Sequence, residues 1–195
     1  MKKIKMNDNT RFTPLTGQFL VAVPGIDDER FNQAVVYVYT HSETDGAQGI
    51  VINKPAEKLL MRDILAQLKC PMPDITMPPL LLGGPDRMAS GFILHSSEYH
   101  NPMTYPVTDD VALTSTHEIL HDIANGQGPN EFLMALGCAT WRRGQLEDEL
   151  MSNVWLTVPA THQIMFHTPN ELKWEMTLKS MGIDPLRFST TAGKA

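Results

Sequence analysis

Cysteine is scarce in this chain: Cys70 and Cys138 are the two present among 195 residues. Two thiols make neither a CxxC pair nor a four-ligand metal site. The expectation is two buried, reduced thiols in a cytosol, with a single disulfide as the alternative. Long apolar runs are also missing. No stretch approaches the ~20 residues of a membrane-spanning helix. The opening Met-Lys-Lys leads into Met6-Asn7-Asp8-Asn9-Thr10, with no apolar signal region behind it. We therefore expect a cytoplasmic protein with no membrane partner. Positive charge is in deficit: 16 Lys and Arg face 22 Asp and Glu, a net charge of −6. The densest basic step beyond the N-terminus is Arg142-Arg143, and Glu147, Asp148 and Glu149 follow it closely. Binding to phosphate backbones relies on a basic face, so this balance argues against non-specific nucleic-acid binding. There is no G-x-S-x-G elbow, no phosphate loop ending in Gly-Lys-Ser/Thr, no internal repeat and no low-complexity segment.

What the chain does contain is ordinary globular material, 42% hydrophobic and 19% charged, enough for a core. Short β-rich runs recur at Phe19–Val23, Ala34–Thr40, Gln48–Asn53, Leu80–Leu82, Gly91–Ser96 and Val111–Leu113. Others fall at Glu131–Gly137 and Asn153–Val158, with a weaker one at Ile164–Phe166. Turn residues around Ser42–Gly46 predict a hairpin. Leu60, Ile64, Leu65 and Leu68 share a helical face. Four prolines between Cys70 and Pro79 exclude a helix or central strand there. Ser115-Thr-His-Glu118 and Thr168-Pro-Asn-Glu171 both have capping-box spacing, the second with Pro at the first helical position. A short helix is predicted from Gly144 to Met151. Strands follow one another without intervening helices, an α+β pattern. We expect an N-terminal extension over 1–14, one domain over 15–183 and a tail over 184–195.

Few residues assemble into a chemical signature. His117-Glu118-Ile119-Leu120-His121 has the H-E-x-x-H spacing of zinc hydrolases. It stands in the first turns of a short helix, and no third ligand follows in DIANGQGPN. Glu147 and Glu149 are the nearest helical candidates for that ligand. The expected metal content is none, with His117 and His121 as the long shot. Leu82-Gly83-Gly84-Pro85-Asp86-Arg87 reads as a tight turn, where Arg87 would meet an anion beside exposed N–H groups. His41, Asn53 and His95 lie at strand ends, positions that either satisfy neighbouring loops or face a ligand. These three and Arg87 are the candidate ligand-binding residues. Trp141 and Trp155 flank the 144–151 helix, as aromatics do when they hold a helix on its own sheet. The acids Glu147, Asp148 and Glu149 suit its dipole.

Several stretches together resemble the YqgE/AlgH family of bacterial proteins: FLVAVPGIDDERF, AVVYVYTH, GAQGIVINKP, LLLGGPDRMASGFILHS and GCATWRRGQLEDELMSNVWLTVPA. The likeness spans about Gly17 to Gly182. It departs from the family pattern at Cys138, where an aromatic is usual, and at Thr140, where a small residue is. The His-Glu-x-x-His pentapeptide is not part of that pattern. The resemblance implies a single α+β domain whose mostly antiparallel or mixed, branched sheet curls into a barrel-like core with a few helices outside. It also implies a bacterial cytoplasmic protein, and it carries over no catalytic residue and no cofactor. The family's name comes from a proposed transcriptional regulator, but no helix-turn-helix or basic reading surface is visible here. The expected function is a non-enzymatic binding or regulatory protein acting on a protein partner or small ligand. The alternative is an enzyme, with a site where His41, Asn53, Arg87 and His95 converge or a zinc site on His117, Glu118 and His121.

Overall fold

The β-branched and aromatic runs form strands because the sheet buries both of its faces. The computed structural model describes residues 12–186, so 1–11 of the expected extension and 187–195 of the expected tail lie outside the described residues. Strands β1 (Gln18–Ala22), β2 (Val35–Ser42) and β3 (Gly46–Val51) form an antiparallel meander. The β2–β3 hairpin turns where expected, pairing Ser42 with Gly46, and the Ser42 hydroxyl donates to Asp45. The rest are β4 (Leu81–Leu82), β5 (Asp86–Ser96), β6 (Thr104–Pro106), β7 (Val111–Thr114), β8 (Phe132–Trp141) and β9 (Trp155–Pro159). Among the described residues they make one sheet in the order β6-β7-β5-β8-β3-β2-β1-β9, with β4 branching off β8 as its parallel partner.

Alternation along each strand sorts side chains between two faces. Phe19, Val21, Val35, Tyr37, Ile50, Phe92, Leu94, Leu133 and Ala135 build the core of the concave face. It is closed by α4 (Asn170–Ser180) through Trp174 and Leu178. The other face has two separate covers. Leu20, Ala22, Val36, Val38, Ala139 and Trp141 lie under α3 (Gln145–Met151) with Leu146. Ile93 and Met134 lie under α1 (Met61–Gln67) and α2 (Glu118–Ala124). Leu133 and Ala135 face the concave core, yet Ala139 and Trp141 face away. The phase slips at Gly137, whose φ is +74°. Such a slip sends every later side chain to the opposite face. Beside it, Gly83 fills the gap where β3 and β8 part: Val51 N–H donates to its carbonyl (2.8 Å), and its own N–H donates to Leu136 (2.7 Å).

Five expectations need correction. Ile164–Phe166 is not a strand but part of a π-helical turn over Gln163–His167; three apolar residues are too few to set a period. The Thr168 hydroxyl donates to Gln163 O (2.9 Å), closing that turn, so α4 starts with Pro169 as an uncapped N-cap instead of a capping box. Ser115 does not cap α2, whose N-cap is His117, without a side-chain bond. All of β6 falls in Ser96–Pro106 (SSEYHNPMTYP), whose polar residues and two prolines predict a long loop; at the sheet edge Pro106 loses no ladder bond. β5 starts at Asp86, five residues early, with a bulge between Asp86 and Gly91. No helix among the described residues is long and apolar enough to cross a membrane.

Candidate functional site

The four candidate ligand residues are held in separate places. His41 is buried beside the entry to β1. Leu15 N–H donates to its Nδ1 (3.1 Å), so its proton sits on Nε2 and donates to Glu147 (3.0 Å). Its backbone N–H donates to Thr16 Oγ1 (3.0 Å), and Phe12 packs edge-on at 4.8 Å. The imidazole thus ties the segment before β1 to α3. Asn53 accepts from Val35 N–H (2.9 Å) and donates to Gln33 O (2.8 Å), fixing the chain that enters β2. His95 is fully buried. Its Nδ1–H donates to Ser96 O (2.9 Å), which leaves Nε2 to accept from the Thr114 hydroxyl (3.0 Å). Burial holds its pKa below the usual imidazole range. Arg87 is exposed in the β5 bulge at φ +51°, its guanidinium 5.5 Å from the Phe92 ring centroid. None of these four side chains lines any of the clefts described here.

His117 and His121 sit at the outer edge of α2 with ring centroids 6.3 Å apart. Glu118 lies 3.7 Å from the His117 ring. Among the described residues no group of three or more His, Cys, Asp or Glu is disposed to hold a metal ion. Cys70 and Cys138 are both buried and unpaired.

Two adjoining clefts stand out instead, sharing Arg30, Phe31 and Pro85. The segment between β1 and β2 forms their partition. Asp28 caps a single 3-10 turn over Glu29–Phe31 by accepting from Arg30 N–H (3.0 Å). The Arg30 guanidinium grips the same carboxylate at 2.6 and 2.9 Å, and that hydrogen bonding holds the Asp28 pKa below its usual range.

The smaller cleft, about 490 Å³, is walled by Asp27, Asp28, Asp86 and Glu149. Asp86 accepts from Thr140 N–H (3.1 Å). Glu149 Oε2 accepts both indole N–H groups, from Trp141 (2.8 Å) and Trp155 (2.7 Å), and Oε1 accepts from Gln145 (2.9 Å). The two indoles meet edge to face at 6.0 Å. They do anchor α3 to the sheet, and Glu149 is the pin between them. Thr140 and Ser152 bring hydroxyls to this cleft, and among the described residues no His, Lys or Cys lines it. Its charged lining is these four carboxylates and the Arg30 guanidinium, which is engaged with Asp28.

The larger cleft, about 660 Å³, has a mainly apolar wall including Phe31, Val51, Leu59, Leu82 and Met88, with Lys54, Lys58, Glu29 and Glu57 among its charged residues. Leu82 and Met88 are 44% and 60% exposed. Binding clefts usually mix apolar walls with a few placed polar groups. Sequence reasoning overlooked this place. Arg30 and Phe31 sit in a polar loop without periodicity, and Met88 follows a turn whose bulge is set by β8. The available signal was the acidic run Asp27-Asp28-Glu29 directly before Arg30.

Comparison with known proteins agrees with this architecture. The AlgH-like family model matches residues 19–186. A UPF0301 protein of Methylobacterium nodulans is 44% identical over 190 residues, covering 93% of this chain and 90% of its own. A UPF0301 protein of Rhodospirillum rubrum is 45% identical over 182 residues, covering 93% and 94%. The solution structure of the AlgH protein from Pseudomonas aeruginosa superposes with a TM-score of 0.74 at 35% identity, covering 98% of this chain and all of that one. A crystal structure of a Corynebacterium diphtheriae protein shares the fold at a TM-score of 0.69 and 18% identity, over 94% of each chain. The curled antiparallel sheet with its few outer helices is the fold of that group, and the chain belongs to the AlgH-like family.

Proposed function

We propose that this protein is a non-catalytic, cytoplasmic binding protein that recognises an extended segment of a protein partner across the paired cleft at Arg30 and Phe31. The observation that carries this reading is the pairing itself. A cleft walled by four carboxylates adjoins a larger, mainly apolar one, through three shared residues. The acidic cleft favours Lys or Arg, and the apolar cleft favours a large hydrophobic side chain a few residues away. The two free thiols support the cytoplasmic setting. A regulatory role would act through that partner and not through direct DNA contact, in line with the charge of −6.

Selection of peptides from a random display library against the purified protein tests it. Enriched sequences should pair an apolar residue with Lys or Arg. Their affinity should fall at least tenfold in Met88→Glu, which places charge in the apolar cleft, and should weaken with added salt. Enrichment without that pairing, or binding indifferent to Met88→Glu, would sink the reading. Turnover of any substrate at this cleft would do the same.

A further inference from the structure

The apolar wall of the larger cleft has an occupant within reach. Eleven residues precede Phe12, reading MKKIKMNDNTR. Lys2, Lys3, Lys5 and Arg11 stand against one acid, Asp8, so the segment carries +3 in a chain whose total is −6. Ile4 and Met6 alternate with its lysines. The point where this segment joins the fold is close to both clefts. Phe12 packs on the His41 ring at 4.8 Å, and His41 Nε2 donates to Glu147 at 3.0 Å. Glu147 lies on α3 between Gln145 and Glu149, which both line the smaller cleft. That helix has seven residues, about 10 Å in length. Eleven extended residues span up to about 36 Å, enough to pass α3 and cross both clefts.

Charge and side-chain alternation match as well. In an extended chain successive side chains point in opposite directions, so Lys3 and Lys5 leave on one side and Ile4 on the other. The two clefts adjoin across the Arg30–Phe31 partition. In the smaller one Arg30 engages Asp28, while Asp27, Asp86 and Glu149 have no ion-pair partner among the described residues. In the larger one Lys54 and Lys58 are balanced by Glu29 and Glu57, and Leu82 and Met88 leave apolar surface exposed. That side favours an uncharged side chain. We infer that residues 1–11 dock in cis on the paired cleft, with Ile4 on the apolar wall and Lys3 and Lys5 against the carboxylates, and so compete with an outside partner. This rests on the reading, made above, that the paired cleft takes an extended segment mixing basic and apolar residues. A tether this short gives an effective concentration on the order of 1 mM. With an intrinsic Kd of about 0.1 mM the segment then fills the cleft roughly nine-tenths of the time and weakens an outside peptide about tenfold.

Two full-length variants test this, Ile4→Asp and the double change Lys3→Glu with Lys5→Glu. Amide chemical shifts at Phe31, Leu82 and Met88 should differ between wild type and each variant, and the differences should persist on dilution. A synthetic MKKIKMNDNTR peptide should bind both variants about tenfold more tightly than wild type. Cleft amides that do not move, or equal peptide affinity for wild type and variants, would overturn the inference; library peptides that still depend on Met88 would then keep the outside-partner reading intact. Differences that vanish on dilution would assign the contact to a second copy and overturn it too. Cleft shifts that persist when no library peptide is enriched would uphold this docking and sink only the outside partner.

Discussion

Replacing Gly137 with alanine should be among the most damaging single-methyl additions in this protein. The backbone there has φ +74°, a conformation that costs a side-chain-bearing residue about 1–2 kcal/mol. Space is the larger obstacle. A Cβ on Gly137 would stand 2.4 Å from Gly84 O and 2.9 Å from Asp86 O. Both are backbone atoms, and neighbouring Gly83 is hydrogen-bonded on both sides, to Val51 and to Leu136. Neither can swing aside as a side-chain tip would. Overpacking of this kind adds about 2–3 kcal/mol, so the sum is about 3–5 kcal/mol, or roughly 10–15 °C in Tm for a chain of this size. Gly126→Ala is the control. Its φ is +72°, yet nothing lies within 4 Å of an added Cβ, so only the conformational cost of about 1–2 kcal/mol applies. Urea unfolding followed by tryptophan fluorescence measures both, and an unchanged m-value would show that the same surface is exposed. If the two variants lose equal stability, the close crossing of β8 with the segment before β5 is not what holds the branch.

Glu149→Ala would strand two buried indole N–H groups and should cost about 2–4 kcal/mol, with a shift in Trp141 and Trp155 emission; unaltered emission would count against the pin. Lys173→Met should abolish a rise in stability with pH. Below about 8 the folded protein carries an ammonium that burial disfavours. Above it the fold releases a proton that the unfolded chain keeps to about 10.5, so wild type should gain about 2 kcal/mol on the variant between pH 7.5 and 9.5. Parallel urea curves for the two proteins would refute this. His95 works in the acid range. Its folded pKa lies below 6.5, so the unfolded chain takes up the proton first and stability should fall as pH drops through 6.5; His95→Gln should flatten that part of the curve measured by thermal unfolding.

The sequence revealed most where one physical rule dominated. AVVYVYT reads as a strand because both faces of β2 are buried, and the hairpin at Ser42–Gly46 announces itself by its turn residues. The π turn at Gln163–His167 stayed hidden because its identity depends on which carbonyl the Thr168 hydroxyl reaches. The early start of β5 depends on Asp86 pairing with Cys138, a partner more than fifty residues away. At the strand ends, His41, Asn53 and His95 had two readings each, and local composition cannot tell a satisfied histidine from a free one. Their hydrogen bonds can. The paired cleft was the least legible feature, since its walls come from the β1–β2, β3–α1 and β4–β5 connections and α3, with no shared periodicity.

The position of β8 has a consequence for synthesis. It is hydrogen-bonded to β3, β4 and β5 at once, yet it is made after all of them. From Val51 to Phe132 the ribosome needs about 4–16 s at ordinary elongation rates. Throughout that interval β3 presents a bare edge to whatever lies nearby, and β5 adds a second once Ser96 has been made. The nascent chain is thus most exposed to mispairing before its 132nd residue appears, and a stall within the proline-rich stretch 71–79 would lengthen that exposure.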